Sequence, residues 1–225
     1  AMTGESSGWQ NVGAMMNRGV EIAVDGDIIR TKEFTWNLSA NVSYNKNKLL
    51  ELYNGVQEYV NSTTGLKYLV GHPVHEYYLN RYAGVNPANG DALWYTADGE
   101  LTTEFREEDK VMTGKTFDSP WMGGFGTTLT WKGLSLSAQF TWMAKRYVMN
   151  NDRFFEESNG LFSAYNQSKR LLYDRWKKPG DITDIPRYNV NAQLDDRFLE
   201  NSSFLRLKNL TLGYLLPQSL LKKTN

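Results

Sequence analysis

Cysteine is absent from all 225 residues. Disulfide frameworks, thiolate metal sites and cysteine nucleophiles are therefore excluded, and the redox compartment leaves no trace. No apolar run approaches the ~20 residues that a membrane-crossing helix needs, and mean hydropathy is -0.54. This excludes a helical membrane protein but leaves a barrel untouched, because alternating strands average out in hydropathy. An excess of one charge is also missing. The 25 Lys and Arg balance the 25 Asp and Glu, so there is no electrostatic footprint for nucleic acid. The opening AMTGESSGWQ holds no basic region followed by an apolar stretch, so no signal peptide is expected within it.

What the chain does have is aromatic side chains, at 13% with 7 Trp and 13 Tyr. Interfacial girdles or saccharide-binding surfaces account for such a content. The stretch FTWNLSANVSYNKN, starting at Phe34, is apolar at Phe34, Trp36, Leu38, Ala40, Val42 and Tyr44 and polar at nearly every position between. Strict period-two alternation marks a strand whose faces meet different solvents. Globular strands typically run ~5–6 residues, whereas a membrane-spanning strand needs ~9–11 residues. Ten steps of ~3.3 Å at a tilt of ~40° climb roughly 25 Å, the height of an outer-membrane apolar band. Phe34 and Trp36 at one end and Tyr44 at the other suit its two aromatic girdles.

Seven strand candidates follow along the chain. The first covers 11–25, with Val12, Ala14, Met16, Val20, Ile22 and Val24 on one face, and a link at 26–33 joins it to the quoted strand. HEYYLNRYAGV and DALWYTA read as the third and fourth, joined by the turn at Pro87–Gly90. WMGGFGTTLTW and LSLSAQFTW, separated by Lys132 and Gly133, form the clearest hairpin. SFLRLKNLTLGYLL is the seventh. Short links at 26–33, 87–90 and 132–133 alternate with long excursions at 45–74, 98–120 and 143–202, as expected of short periplasmic turns and long outer loops. Within the last excursion, Leu161, Tyr165, Ser168, Leu172 and Trp176 stand at helical spacing and predict a short amphipathic helix. Seven is odd, and single-chain bacterial barrels have even strand numbers. The expectation is an all-β, antiparallel transmembrane barrel, present as about seven strands of a larger one.

Chemistry-bearing candidates are few. His72 and His75 in GHPVHE have a proline between them and no third histidine to complete a zinc site. The glycines Gly123, Gly124 and Gly126 precede a strand rather than a helix, so close packing explains them better than phosphate binding. The acidic groups at 107–109 and at Glu156 and Glu157 read as solvated loop charges, and Asp25 to Asp27 as a turn. No catalytic residue, metal or cofactor is expected. The better functional candidates are Tyr165, Tyr173, Trp176, Arg187 and Tyr188, whose aromatic faces and cation lie in the long outer loop. The polar positions Asn37, Ser39, Asn41, Ser43, Ser135, Ser137, Gln139 and Thr141 are expected to line the lumen.

Several stretches resemble one family. NVGAMMNRGVEI, FTWNLSANVSYNKNKL, YAGVNPANGDALWY, GGFGTTLTWKGLSLSAQFTW, DRW followed by PGDITDIPR, and RFLENSSFLRLKNLTLGYLLP are together similar to the C-terminal part of the SusC/RagA family of TonB-dependent outer-membrane transporters. The resemblance covers nearly the whole chain. It implies that residues 1–225 belong to a single barrel domain of ~22 strands with a plug in its lumen, whose signal peptide, plug and final strands are not in this sequence. It further implies uptake of oligosaccharides or peptides through the outer membrane, with a SusD-like surface lipoprotein as lid and TonB acting through other parts of the protein. The competing class is a secreted, soluble carbohydrate-binding β-sandwich, which requires a closed core within these residues.

Overall fold

The computed structural model describes residues 13–60 and 66–217. Five long strands form one sheet: β1 (Gly13–Arg30), β2 (Phe34–Leu52), β3 (Trp121–Trp131), β4 (Leu134–Ala144) and β5 (Phe204–Tyr214). They pair in chain order, all antiparallel. The register aligns the alternation of every strand. Leu38, Thr127, Ala138 and Leu210 form one cross-strand row; Trp36, Leu129, Leu136 and Leu212 form the next. One face is thus continuously apolar and the other polar.

The apolar face has no second layer over it. Val24 and Leu210 are each 62% exposed and Leu38 is 36% exposed, which is incompatible with a sandwich core and is what a lipid-facing wall presents. Aromatic pairs close both ends of the band. Tyr44 and Trp121 lie 4.5 Å apart at one end, and Phe34 pairs with Trp131 at the other. The few polar groups on this face are satisfied within it, as lipid demands: Trp36 Nε1 donates to Thr127 Oγ1 at 2.9 Å. Gly123 is needed beneath the Trp142 ring, whose Cζ2 would come within 2.9 Å of any Cβ.

Several strand expectations are corrected. β1 runs through Arg30, so Asp25 to Asp27 lie in a strand rather than a turn. A bulge at Ile28 returns Ile29 to the apolar side opposite Trp36. The link shrinks to 31–33, closed by Phe34 N–H donating to Thr31 Oγ1 at 2.9 Å. Asn11 and Val12 of the first candidate lie outside the described residues.

The third and fourth candidates are not wall strands. Glu76–Leu79 pairs with Val111–Thr116, and Arg81–Val85 pairs with Ala92–Tyr95. Their four or five residues are too short to cross the apolar band, and they bury Glu76, Ala92 and Trp94 inside a loop domain. The Pro87–Gly90 turn consequently sits in an outer excursion, not at a periplasmic link. The short–long alternation survives in simpler form, with links at 31–33 and 132–133 and excursions at 53–120 and 145–203.

The helix expected across 161–176 is also replaced. Only α2 (Arg170–Tyr173) is helical there, and an unexpected α1 (Asn151–Glu156) precedes it. Leu171 is buried while Leu172 is 65% exposed, so the apparent periodicity was out of phase with the packing.

Leu38 stands at mid-height on the apolar face. Leu38→Arg is expected to cost ~2–4 kcal/mol and to reduce the heat-modifiable, assembled fraction of the protein on gels. Ser137→Lys on the opposite face should leave that fraction unchanged.

Candidate functional site

The polar face is built by register. Asn37, Ser39 and Asn41 stand opposite Thr128, Gly126 and Gly124, which stand opposite Ser137, Gln139 and Thr141 on their other side. Ser43 faces Met122, and Ser135 faces Thr130. All eight polar positions singled out in the sequence therefore share one face. That face also includes Glu21, Asp25 and Asp27 of β1 and Arg206, Asn209 and Thr211 of β5. Sequence reading left these out: alternation marks Glu21, Asp25 and Asp27, but Arg206 and Asn209 differ in parity across the bulge at Lys208. Ser43 Oγ donates to Glu21 at 3.2 Å, and Thr128 Oγ1 donates to Ser137 at 3.2 Å.

The two excursions interlock above this face. Asp195, fully buried, accepts from Trp94 Nε1 at 2.8 Å and from Arg197 Nε and Nη2, each at 3.0 Å. Burial pushes its carboxyl above the ordinary value, against the pull of Arg197 and the Trp94 donor. The Arg197 guanidinium lies 3.9 Å from the centre of the Tyr82 ring, and burial also raises the Tyr82 hydroxyl. Tyr82 N–H donates to Asp196 at 2.8 Å. A second network ties the 145–203 excursion to itself. Arg170 reaches Glu157 at 2.8 Å and Asp184 at 2.7 Å, while Arg153 reaches Glu157 at 3.0 Å and Glu200 at 3.4 Å.

The acids expected to be solvated are partly buried. Glu157 and Asp109 are 7% and 4% exposed, because each has an arginine to neutralise it; Asp109 takes Arg106 Nε at 2.8 Å. The histidines serve different carboxylates. His72 meets Glu76 at 2.9 Å and His75 meets Asp118 at 2.7 Å.

Of the five loop candidates, two come together. Trp176 Nε1 donates to the Pro87 carbonyl at 3.1 Å, and Arg187 Nε donates to Asp91 at 2.9 Å. Gly90 sits between them with φ +78, where a Cβ would lie 2.4 Å from the Trp176 ring. These side chains clamp one excursion to the other. Tyr188 lies beneath Arg175 at 5.2 Å, Tyr165 borders the Phe155 and Phe162 rings, and Tyr173 is 68% exposed. At the outer end of the polar face, a cavity of about 810 Å³ opens against Asn47, Met122, Met143, Phe117, Arg146 and Tyr147. Sequence reading missed it, since its lining comes from five separate segments.

No protein-family model matches the chain. Among curated proteins, TonB-dependent receptor P3 of Formosa agariphila is 28% identical over 99% of the chain, and TonB-dependent receptor SusC of Bacteroides thetaiotaomicron is 28% identical over 91%. A solved structure of the RagAB peptide transporter superposes on 97% of the chain with a TM-score of 0.88 and 37% identity. The chain belongs to the SusC/RagA family of TonB-dependent outer-membrane transporters. It is a section of an outer-membrane β-barrel and spans about a quarter of the length of the relatives it matches, 24% of P3 and 25% of the RagAB chain. Open-open and closed-closed RagAB structures match this chain at TM-scores of 0.88 and 0.87.

Asp195→Ala removes the acceptor of both Trp94 and Arg197, and breaking such a buried pair costs ~3–5 kcal/mol. Hydrogen exchange should become faster in both excursions while the wall strands stay protected.

Acid should act through Asp184. Partial burial raises its carboxyl, but bonds from Arg170 and the charge of Arg153 outweigh this and hold it below its ordinary 3.8. Its contribution to loop docking is therefore present above pH 3.8 and lost as pH falls through the lower folded value. Asp195, shifted upward, works in the opposite sense. Pepsin cleavage within 145–203 should rise below pH 3.8, and Asp184→Asn should flatten that rise.

Proposed function

We propose that the chain forms part of the wall and outer vestibule of a nutrient importer, without catalysis of its own. The whole receptor takes up peptides or oligosaccharides with a SusD-like surface lipoprotein as lid, driven by TonB. The observation that carries this reading is the joint geometry of a polar sheet face and two interlocked outer excursions, matched over 97% of the chain to a peptide transporter. The likeness to a peptide transporter favours peptides over oligosaccharides.

In this reading Asn37, Ser39, Asn41, Ser43, Ser135, Ser137, Gln139 and Thr141 line the lumen. Small hydroxyls and amides offer a passing substrate many weak hydrogen bonds and no tight trap. Trp176 and Arg187 keep the excursions docked, which leaves Tyr165, Tyr173 and Tyr188 to meet substrate or lid.

The test is mass spectrometry of ligands co-purifying with the whole receptor and its lipoprotein. Bound peptides are expected. Bound oligosaccharides would transfer the substrate assignment to sugars, and a receptor that isolates without a lipoprotein or either ligand would overturn the importer reading.

A further inference from the structure

A shallow depression lies on the lipid-facing side. A groove of about 400 Å³ is lined by Phe34, Leu129, Trp131, Leu134 and Leu136, all apolar. It lies between β2, β3 and β4, each of which has both of its sheet neighbours in place, so no further wall strand can fill it. Directly inward stand Thr127 and Ala138, flanked in the same row by Leu38 and Leu210. Trp36 reaches over Thr127, so the depression extends toward the middle of the bilayer at Ala138, beside Leu210.

The groove opens at the Lys132–Gly133 turn, where both residues have positive φ, 47 and 87, in the tight hairpin geometry. Short turns mark the periplasmic side. Lys132 Nζ stands 3.2 Å from Glu33, with both side chains more than half exposed, and 5.7 Å from the centre of the Trp131 ring. Exposed pairs of this kind are weak, so both charges remain available to a ligand that presents the opposite pair.

We propose that this groove binds a zwitterionic aminophospholipid of the periplasmic leaflet. One acyl chain lies over Leu129 and Leu136 toward Ala138, the phosphate meets the Lys132 ammonium, and the lipid ammonium meets Glu33. A neutral headgroup of two charges matches a neutral protein pair, which an anionic headgroup does not. The Phe34 and Trp131 rings stand at the glycerol level, where aromatic side chains favour the interface.

The test is native mass spectrometry of the whole receptor, delipidated and titrated with phosphatidylethanolamine or with phosphatidylglycerol of the same chains. Phosphatidylethanolamine should be retained preferentially. Lys132→Gln should weaken its retention about fivefold, the worth of one interfacial cation, and Ala138→Leu should weaken retention of both lipids by filling the track. Heat-modifiable migration reports assembly of each variant, and Lys132→Gln, on an exposed turn, carries the test if Ala138→Leu does not assemble. Equal retention of both lipids would overturn the headgroup pairing. Unchanged retention in assembled Ala138→Leu would overturn the groove.

Discussion

A backbone amide inside a bilayer has no water to bond with, and each one left unpaired costs several kcal/mol. The wall is arranged around that constraint. Five strands pair edge to edge, Trp36 satisfies the one hydroxyl set deep on the apolar side, and bulges at Ile28 and Lys208 absorb extra residues without turning a polar side chain to lipid. Register follows from the same condition, because a slip of one residue would carry every polar side chain to the wrong solvent.

Above the membrane water is available again, and another device takes over. The excursions bury a small apolar core of their own, with Leu79, Ala92, Trp94, Ile185 and Phe198 in it, and buried charges matched at long range fix how its parts meet. Trp94 and Arg197 meet at Asp195 from segments about a hundred residues apart in sequence, and Trp176 with Arg187 fastens the Pro87–Gly90 turn. Such pairs give little net stability but a definite geometry. In the functional reading, that geometry fixes the shape of the vestibule over the polar face.

The two regimes explain what could be read from the sequence. Alternation in 34–44 and in the hairpin 121–144 is legible because lipid imposes it residue by residue. Inside the excursions the same local signal misleads. HEYYLNRYAGV reads as one strand but is two, broken at Asn80, which is fully buried and donates to the Arg106 carbonyl at 2.7 Å. Length, not period, separates wall from loop there. Glu157 and Asp109 read as solvated because their arginines become partners only on folding, and the cavity near Arg146 was invisible because no single segment builds it. Trp176 and Arg187 were found as residue types suited to an outer loop, and their distances add the role of a clamp.

Which solvent each face of the wall meets decides both the register and the role of the polar face. The test is a scan of single cysteines along β2 from Trp36 to Ser43 in the whole receptor, with any native cysteine elsewhere replaced, probed with a membrane-impermeant maleimide. Labelling at 37, 39, 41 and 43 with protection at 36, 38, 40 and 42 is the predicted result. Equal labelling along the strand, or the opposite phase, would contradict a wall with lipid on one side and an aqueous lumen on the other.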